Sequence, residues 1–164
     1  MAATKFPPRL TLEEAIRVIK VMYQDHQSRE VSLDLMPDVL KTKKSSSFFA
    51  DKISALQKFG LAEKKPNDLL WLTDLAMQIV DPIGNEAEQA KLEALRKIDL
   101  LNDLSQKYPN GKLPSQEQLQ QSLMKVYQVP RETVRAWYDF VVSSFRMLPN
   151  KSAYDVEKQP QKAP

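Results

Sequence analysis

Lys41, Lys43, Lys44, Lys52, Lys58, Lys64 and Lys65 fall within a single 25-residue stretch, and no arginine lies among them. Ammonium groups at this density suit one non-covalent chemistry, the neutralisation of phosphates along a polyanion, with an affinity that falls as salt rises. Ser46, Ser47, Ser54 and Gln57 lie between the lysines and offer hydroxyl and amide groups to phosphates or base edges. Serine discriminates poorly between bases, and the side chain that most often reads guanine, arginine, is missing from the stretch. The pattern predicts binding to double-stranded DNA with weak sequence specificity. Asp51 belongs to the same stretch and repels phosphate, so the competing expectation is a solvated surface that packs against a protein.

Other chemistries find less support. His26 is the one histidine and stands beside Asp25, and there is no cysteine. A metal site would lack nitrogen and sulfur ligands, and no disulfide framework can form. The serines at 45–47 have no base beside them in sequence to activate a nucleophile. With three glycines in the chain, none in a phosphate-cradling run, a nucleotide loop is also excluded. The expectation is a non-catalytic protein without cofactor or metal.

The elements that must position the lysines can be read from capping and periodicity. Thr11 and Glu14 form a capping box ahead of Leu12, Ala15, Ile16, Ile19 and Tyr23, which mark the buried stripe of a first helix ending near His26. Val31 is placed to add a short strand to a later hairpin. Ser32 or Asp34 caps a short second helix through Leu35, Met36, Val39 and Leu40, with Pro37 in its first turn. One of the serines at 45–47 caps a third helix, whose inner face is Phe49, Ile53 and Leu56 and whose outer face is Ser47, Asp51, Ser54 and Lys58. Gly60 closes it in the left-handed conformation, with Leu61 folding back on the last turn. Residues 61–65 and 69–72 then form an extended hairpin around Pro66, Asn67 and Asp68, and Thr73 caps a further helix stopped at Asp81-Pro82.

A helix, a glycine stop and a small hairpin are the second half of a winged helix-turn-helix. Ser46-Ser47-Phe48-Phe49, the run Ile53 to Leu61, and Leu72-Thr73-Asp74-Leu75-Ala76 with Ile79 to Pro82 resemble a group of small archaeal and bacterial winged-helix proteins, mostly of unknown function. Lys112 to Ser115, Leu119, Leu123 and Val129 extend the resemblance, which covers residues 10–148. It is similar in turn to winged helix-turn-helix regulators and implies DNA contact through the third helix and the hairpin wing. The chain departs from the common pattern at Ala76, where glycine is frequent, and in a wing without glycine, whose tip is expected to be stiffer.

Beyond Gly84 the chain reads as helices only. Residues 86–108 form one helix or two broken near 97–99, where Asp99 can cap the second. Ser115 and Gln118 open the next as a capping box, with Leu119, Leu123 and Val126 as its buried stripe. Pro130 begins the last, whose Val134, Trp137, Val141, Phe145 and Leu148 keep a helical period. Tyr138 and Phe140 fall on other sides of that helix. Trp137, Val141 and Phe145 read first as core, while the apolar residues on the other sides suggest a second surface, so that Trp137, Tyr138, Phe140 and Phe145 are the expected partner face, for a homodimer or a larger protein complex.

The overall expectation is a mainly α protein with a winged helix-turn-helix and small β-hairpin wing over residues 10–82, a helical extension over 83–149, and a polar, disordered tail over 150–164. Composition agrees: 42% hydrophobic and 27% charged residues describe a globular chain. The net charge of +3 is uneven, with 12 Lys/Arg against 8 Asp/Glu in residues 1–65 and 9 against 11 in residues 66–150. No apolar run near the start reads as a leader and none reaches membrane-spanning length, so a cytoplasmic protein without membrane contact is expected. Its predicted role is a regulator or accessory subunit on DNA; the alternative is an adaptor that binds a protein without DNA contact.

Overall fold

The computed structural model describes residues 4–148, which are mainly helical with one small antiparallel sheet. Helix α1 spans Leu12–His26 and starts as its capping box requires: the Thr11 hydroxyl accepts from the Glu14 amide at 3.2 Å, and the Glu14 carboxylate accepts from the Thr11 amide at 3.0 Å. Leu12, Ala15, Ile16, Ile19 and Met22 form its buried face; Met22 rather than Tyr23 completes the stripe. Gln27, in the left-handed conformation, ends the helix. Strand β1 (Glu30–Ser32) follows, and the Ser32 hydroxyl accepts from the Asp34 amide to start a 3-10 turn that runs into α2 (Met36–Leu40).

Helix α3 spans Ser47–Lys58, and of the three serines Ser46 is the cap, accepting from the Phe48 amide at 3.1 Å. The chain leaves it through Gly60 at φ +73°, where any other residue would carry steric strain. The Leu61 amide closes back on the Leu56 carbonyl at 3.0 Å. Strands β2 (Ala62–Lys65) and β3 (Leu69–Leu72) form the hairpin, and β1 pairs with the far side of β3, giving the order β1-β3-β2. Register places Val31, Leu70 and Lys64 in one row and Glu30, Trp71 and Glu63 in the next, so Leu70 and Leu72 face the core while Trp71 lies on the outer face. The glycine-free tip turns through Asn67 (φ 68°) and Asp68 (φ 56°), the residue types that tolerate left-handed backbone.

Thr73 joins hairpin to helix. Its hydroxyl donates to the Gly60 carbonyl at 2.6 Å and accepts from the Ala76 amide, capping α4 (Asp74–Val80). The remaining helices are α5 (Glu86–Arg96), α6 (Asp99–Lys107), α7 (Gln116–Lys125) and α8 (Val134–Phe145). The break after Arg96 is present, but the extended Ile98, not Asp99, stands at the N-cap; Asp99 sits in the first turn, where a carboxylate meets the positive end of the helix. Pro130 precedes a 3-10 turn, Arg131–Thr133, and α8 starts only at Val134. In α7, Ser115 accepts from the Gln118 amide, and Leu119 and Leu123 are buried, but Val126 is 47% exposed. Tyr127 is buried in its place because α7 ends at Lys125 and the chain turns there.

The core runs without a break across residue 82. Phe59, at the end of α3, stacks on Phe140 of α8 with ring centroids 6.2 Å apart, and Trp137 meets Phe140 edge-on at 5.6 Å. The Ser144 hydroxyl, also on α8, accepts from the buried Leu12 amide at the start of α1. No helix among the described residues is long and apolar enough to cross a membrane. The tail expected over 150–164 lies outside the described residues.

Candidate nucleic-acid interface

Helix α3 is buried on one side, through Phe49, Ile53, Ala55 and Leu56, and leaves Ser47, Ala50, Asp51, Gln57 and Lys58 in solvent, with Ser54 half-buried. Twelve helical residues span about 18 Å, enough to follow a groove of duplex DNA for several base pairs. The expected outer face of α3 is thus present.

The seven lysines divide into two groups. Lys44 is paired with Asp34, whose hydrogen bond holds its ammonium above the ordinary lysine value. Lys65 lies 3.2 Å from Glu63 and over the Trp71 ring. Lys52 corrects the expectation most clearly: its ammonium donates to the Leu40 carbonyl at 3.1 Å and the Thr42 hydroxyl at 2.9 Å. It satisfies a carbonyl left open at the end of α2 and is committed to the fold. Lys41, Lys43, Lys58 and Lys64 are exposed and make no ion pair or side-chain hydrogen bond among the described residues. Ser46 is spent on the cap, whereas Ser47 is exposed.

Gln57 has a different setting from the one its place on the outer face implies. It lines a cleft with Gly60, Glu63, Trp71, Asp74, Glu93 and Lys97, brought together by the end of α3, the sheet, α4 and α5. Glu63, Asp74 and Glu93 are joined there by Lys97, so Gln57 borders a cleft of mixed, mainly acidic charge.

Two arginines reach the region from outside the lysine stretch. Arg9 lies with its guanidinium 4.6 Å from the Phe48 ring centroid and 3.8 Å from the Asp51 carboxylate. Arg29 stacks 3.9 Å from the centre of Trp71 and donates to the Leu72 carbonyl at 3.0 and 2.8 Å and to Asp74 at 2.9 Å, tying β1 to the start of α4. Neither has a signal in sequence spacing, since both are brought by packing of segments remote from α3.

The chain matches no protein-family model, no curated protein and no solved structure. Its chemistry is accordingly read from geometry. Among the described residues no group of three or more His, Cys, Asp or Glu side chains is placed to hold a metal ion.

The partner face expected on α8 requires correction. Trp137, Phe140 and Phe145 are no more than 3% exposed, and Tyr138 is half-buried against the same core. The helix is apolar around much of its girth because it is enclosed on several sides at once. Even the indole N–H of Trp137 is covered, donating to the Thr4 carbonyl of the N-terminal lead at 3.1 Å.

The most perturbed ionisable groups lie elsewhere. The Tyr127 hydroxyl donates to Asp103, and the Lys107 ammonium is 3.4 Å from both. Burial, then the Asp103 bond, pushes the Tyr127 hydroxyl well above its ordinary value. The same bond holds the Asp103 carboxyl below the usual carboxylate range. The Tyr127–Asp103 bond ties α6 to the turn after α7.

Proposed function

We propose that residues 10–82 are a winged helix-turn-helix that binds double-stranded DNA without catalysis, as a regulator or accessory subunit with little sequence specificity. The element order α1-β1-α2-α3-β2-β3, the strand order β1-β3-β2 and the exposed outer face of α3 support the fold. The observation that carries the DNA reading is the set of Lys41, Lys43, Lys58 and Lys64, exposed and unspent around α3 and the hairpin while their neighbours are paired. Exposed lysines without local partners favour phosphate contacts, which set affinity and orientation rather than sequence. A chain without cysteine fits a reducing cytoplasm.

The experiment is a titration of a short mixed-sequence duplex across salt concentrations. The wild type is expected to bind at low salt, with a slope of log affinity against log salt that falls by roughly 0.9 for each phosphate contact removed. Replacing Lys43, Lys58 and Lys64 by Gln lowers both affinity and slope. No binding at low salt, or a triple variant that binds as the wild type does, rejects the reading. The acidic cleft at the far end of α3, with Glu63, Asp74 and Glu93, favours the second reading, an adaptor that engages a protein.

A further inference from the structure

The N-terminal lead is tied down at both ends. The Thr4 carbonyl accepts from Trp137 and Leu10 is buried, with Pro7 and Pro8 between them restricting the backbone. Arg9 therefore emerges from a fixed segment, over the first turn of α3. Its guanidinium lies on Phe48, an aromatic ring that is 49% exposed and otherwise unexplained on a solvent face. Its one ionic contact among the described residues, Asp51 at 3.8 Å, is beyond hydrogen-bond range, and both side chains are about half exposed. Among the described residues the Arg9 guanidinium donates no hydrogen bond, so its fork of five N–H groups is unspent. The ring contact holds the guanidinium at the start of α3 without using its N–H donors. Lys43 stands on the turn that leads into α3, its carbonyl accepting from the Ser46 amide at 2.9 Å, so a second cation precedes the same helix start.

We propose that Arg9 is a phosphate-contacting residue of the DNA interface and that Phe48 positions it, an inference that rests on the DNA-binding reading above. A backbone phosphate takes two N–H groups of the fork and displaces the weak Asp51 contact, which a carboxylate at 3.8 Å in solvent cannot hold against a bidentate acceptor. The lead thereby becomes part of the interface. Asp51, which alone would repel DNA, is then the contact that Arg9 gives up when phosphate arrives.

The test uses the full chain and the same duplex titration, with thermal unfolding of each variant to confirm the fold. Arg9→Gln is expected to weaken binding at least fivefold and to lower the salt slope by roughly 0.9. Arg9→Lys keeps the slope, since charge is retained, yet binds more weakly because it lacks the planar fork. Phe48→Ala weakens the wild type but adds nothing in the Arg9→Gln background, as residues acting through one contact are not additive. If Phe48→Ala lowers the melting temperature appreciably, Phe48→Leu removes the ring and keeps the bulk. Asp51→Asn tightens binding. Wild type that fails to bind duplex at low salt rejects the DNA reading and this inference together. Wild type that binds, and is weakened by the Lys43/Lys58/Lys64 replacement but not by Arg9→Gln, overturns the inference alone. Additive losses for Phe48 and Arg9 overturn the positioning role.

Discussion

Helices α3 and α8 are both twelve residues long, and each carries aromatic side chains on more than one side. Helix α3 buries Phe49 and leaves Phe48 49% exposed under Arg9. Helix α8 buries Trp137, Phe140 and Phe145. The same residue types thus serve as a surface platform on one helix and as core on the other. What separates them is the number of neighbours: α3 has a free side, whereas α8 lies against α1, α7 and Phe59 and beneath the lead. An aromatic on an unexpected face signals a second contact in both cases; on α8 the contact is inside the protein.

The sharpest way to break this comparison is to delete the same side chain from each helix. Phe140→Ala should cost roughly 3–5 kcal/mol, the range for removing a buried aromatic. Phe48→Ala should stay within about 0.5 kcal/mol, as for a surface substitution. Urea unfolding of the two variants checks both, and equal losses would place Phe48 in the core and dissolve the contrast.

A smaller effect is expected at the Asp103–Lys107–Tyr127 cluster between α6 and the turn after α7. Tyr127→Phe removes the donor to Asp103 and should destabilise by about 1 kcal/mol near neutral pH, since the carboxylate remains partly solvated. The pH dependence has a definite sign. Asp103 is depressed in the folded state, so its contribution is complete above its ordinary value of 3.8 and is lost as pH falls through the lower folded value. The stability gap between wild type and Tyr127→Phe should therefore narrow in acid, measured by unfolding at a series of pH values. A constant gap would mean that Asp103 does not hold its charge through Tyr127.

The finest distinction lies between two lysines of α3. Lys52→Ala loses the contacts to Leu40 and Thr42 and should lower stability by about 0.5–1.5 kcal/mol. Lys58→Ala should leave stability within about 0.5 kcal/mol. In the duplex titration the order reverses: Lys58→Ala lowers the salt slope and Lys52→Ala leaves it unchanged. Thermal melting paired with the titration separates a lysine that holds the fold from one that is free to meet a ligand.

Much of the local structure could be read directly from residues. Thr11, Ser46, Thr73 and Ser115 cap where their spacing requires, because a cap is a contact between residues two or three apart, whereas Ser32 caps only the 3-10 turn and α2 starts without a side-chain cap. The left-handed stop at Gly60 was legible through backbone freedom, whereas the added strand at Val31 was expected by analogy with winged helices, which commonly carry one there. Val126, Asp99 and Pro130 deviate by one to four positions, where the end of a helix is decided by packing rather than by pattern. The site was less legible. Spacing selects a stretch rich in lysine but says nothing about which ammonium groups already have partners.

The amino-acid sequence by itself determined the helices, the hairpin, the outer face of α3 and the concentration of lysine around it, because propensity, capping and periodicity act within a few residues. Only the tertiary structure decided how those charges are spent. It gave Lys52 to α2, Lys44 to Asp34 and Lys65 to Glu63, enclosed the aromatic face of α8, and carried Arg9 from the lead to the start of α3. Each of these depends on which remote segment arrives beside a side chain, and that is settled by burial of the shared core.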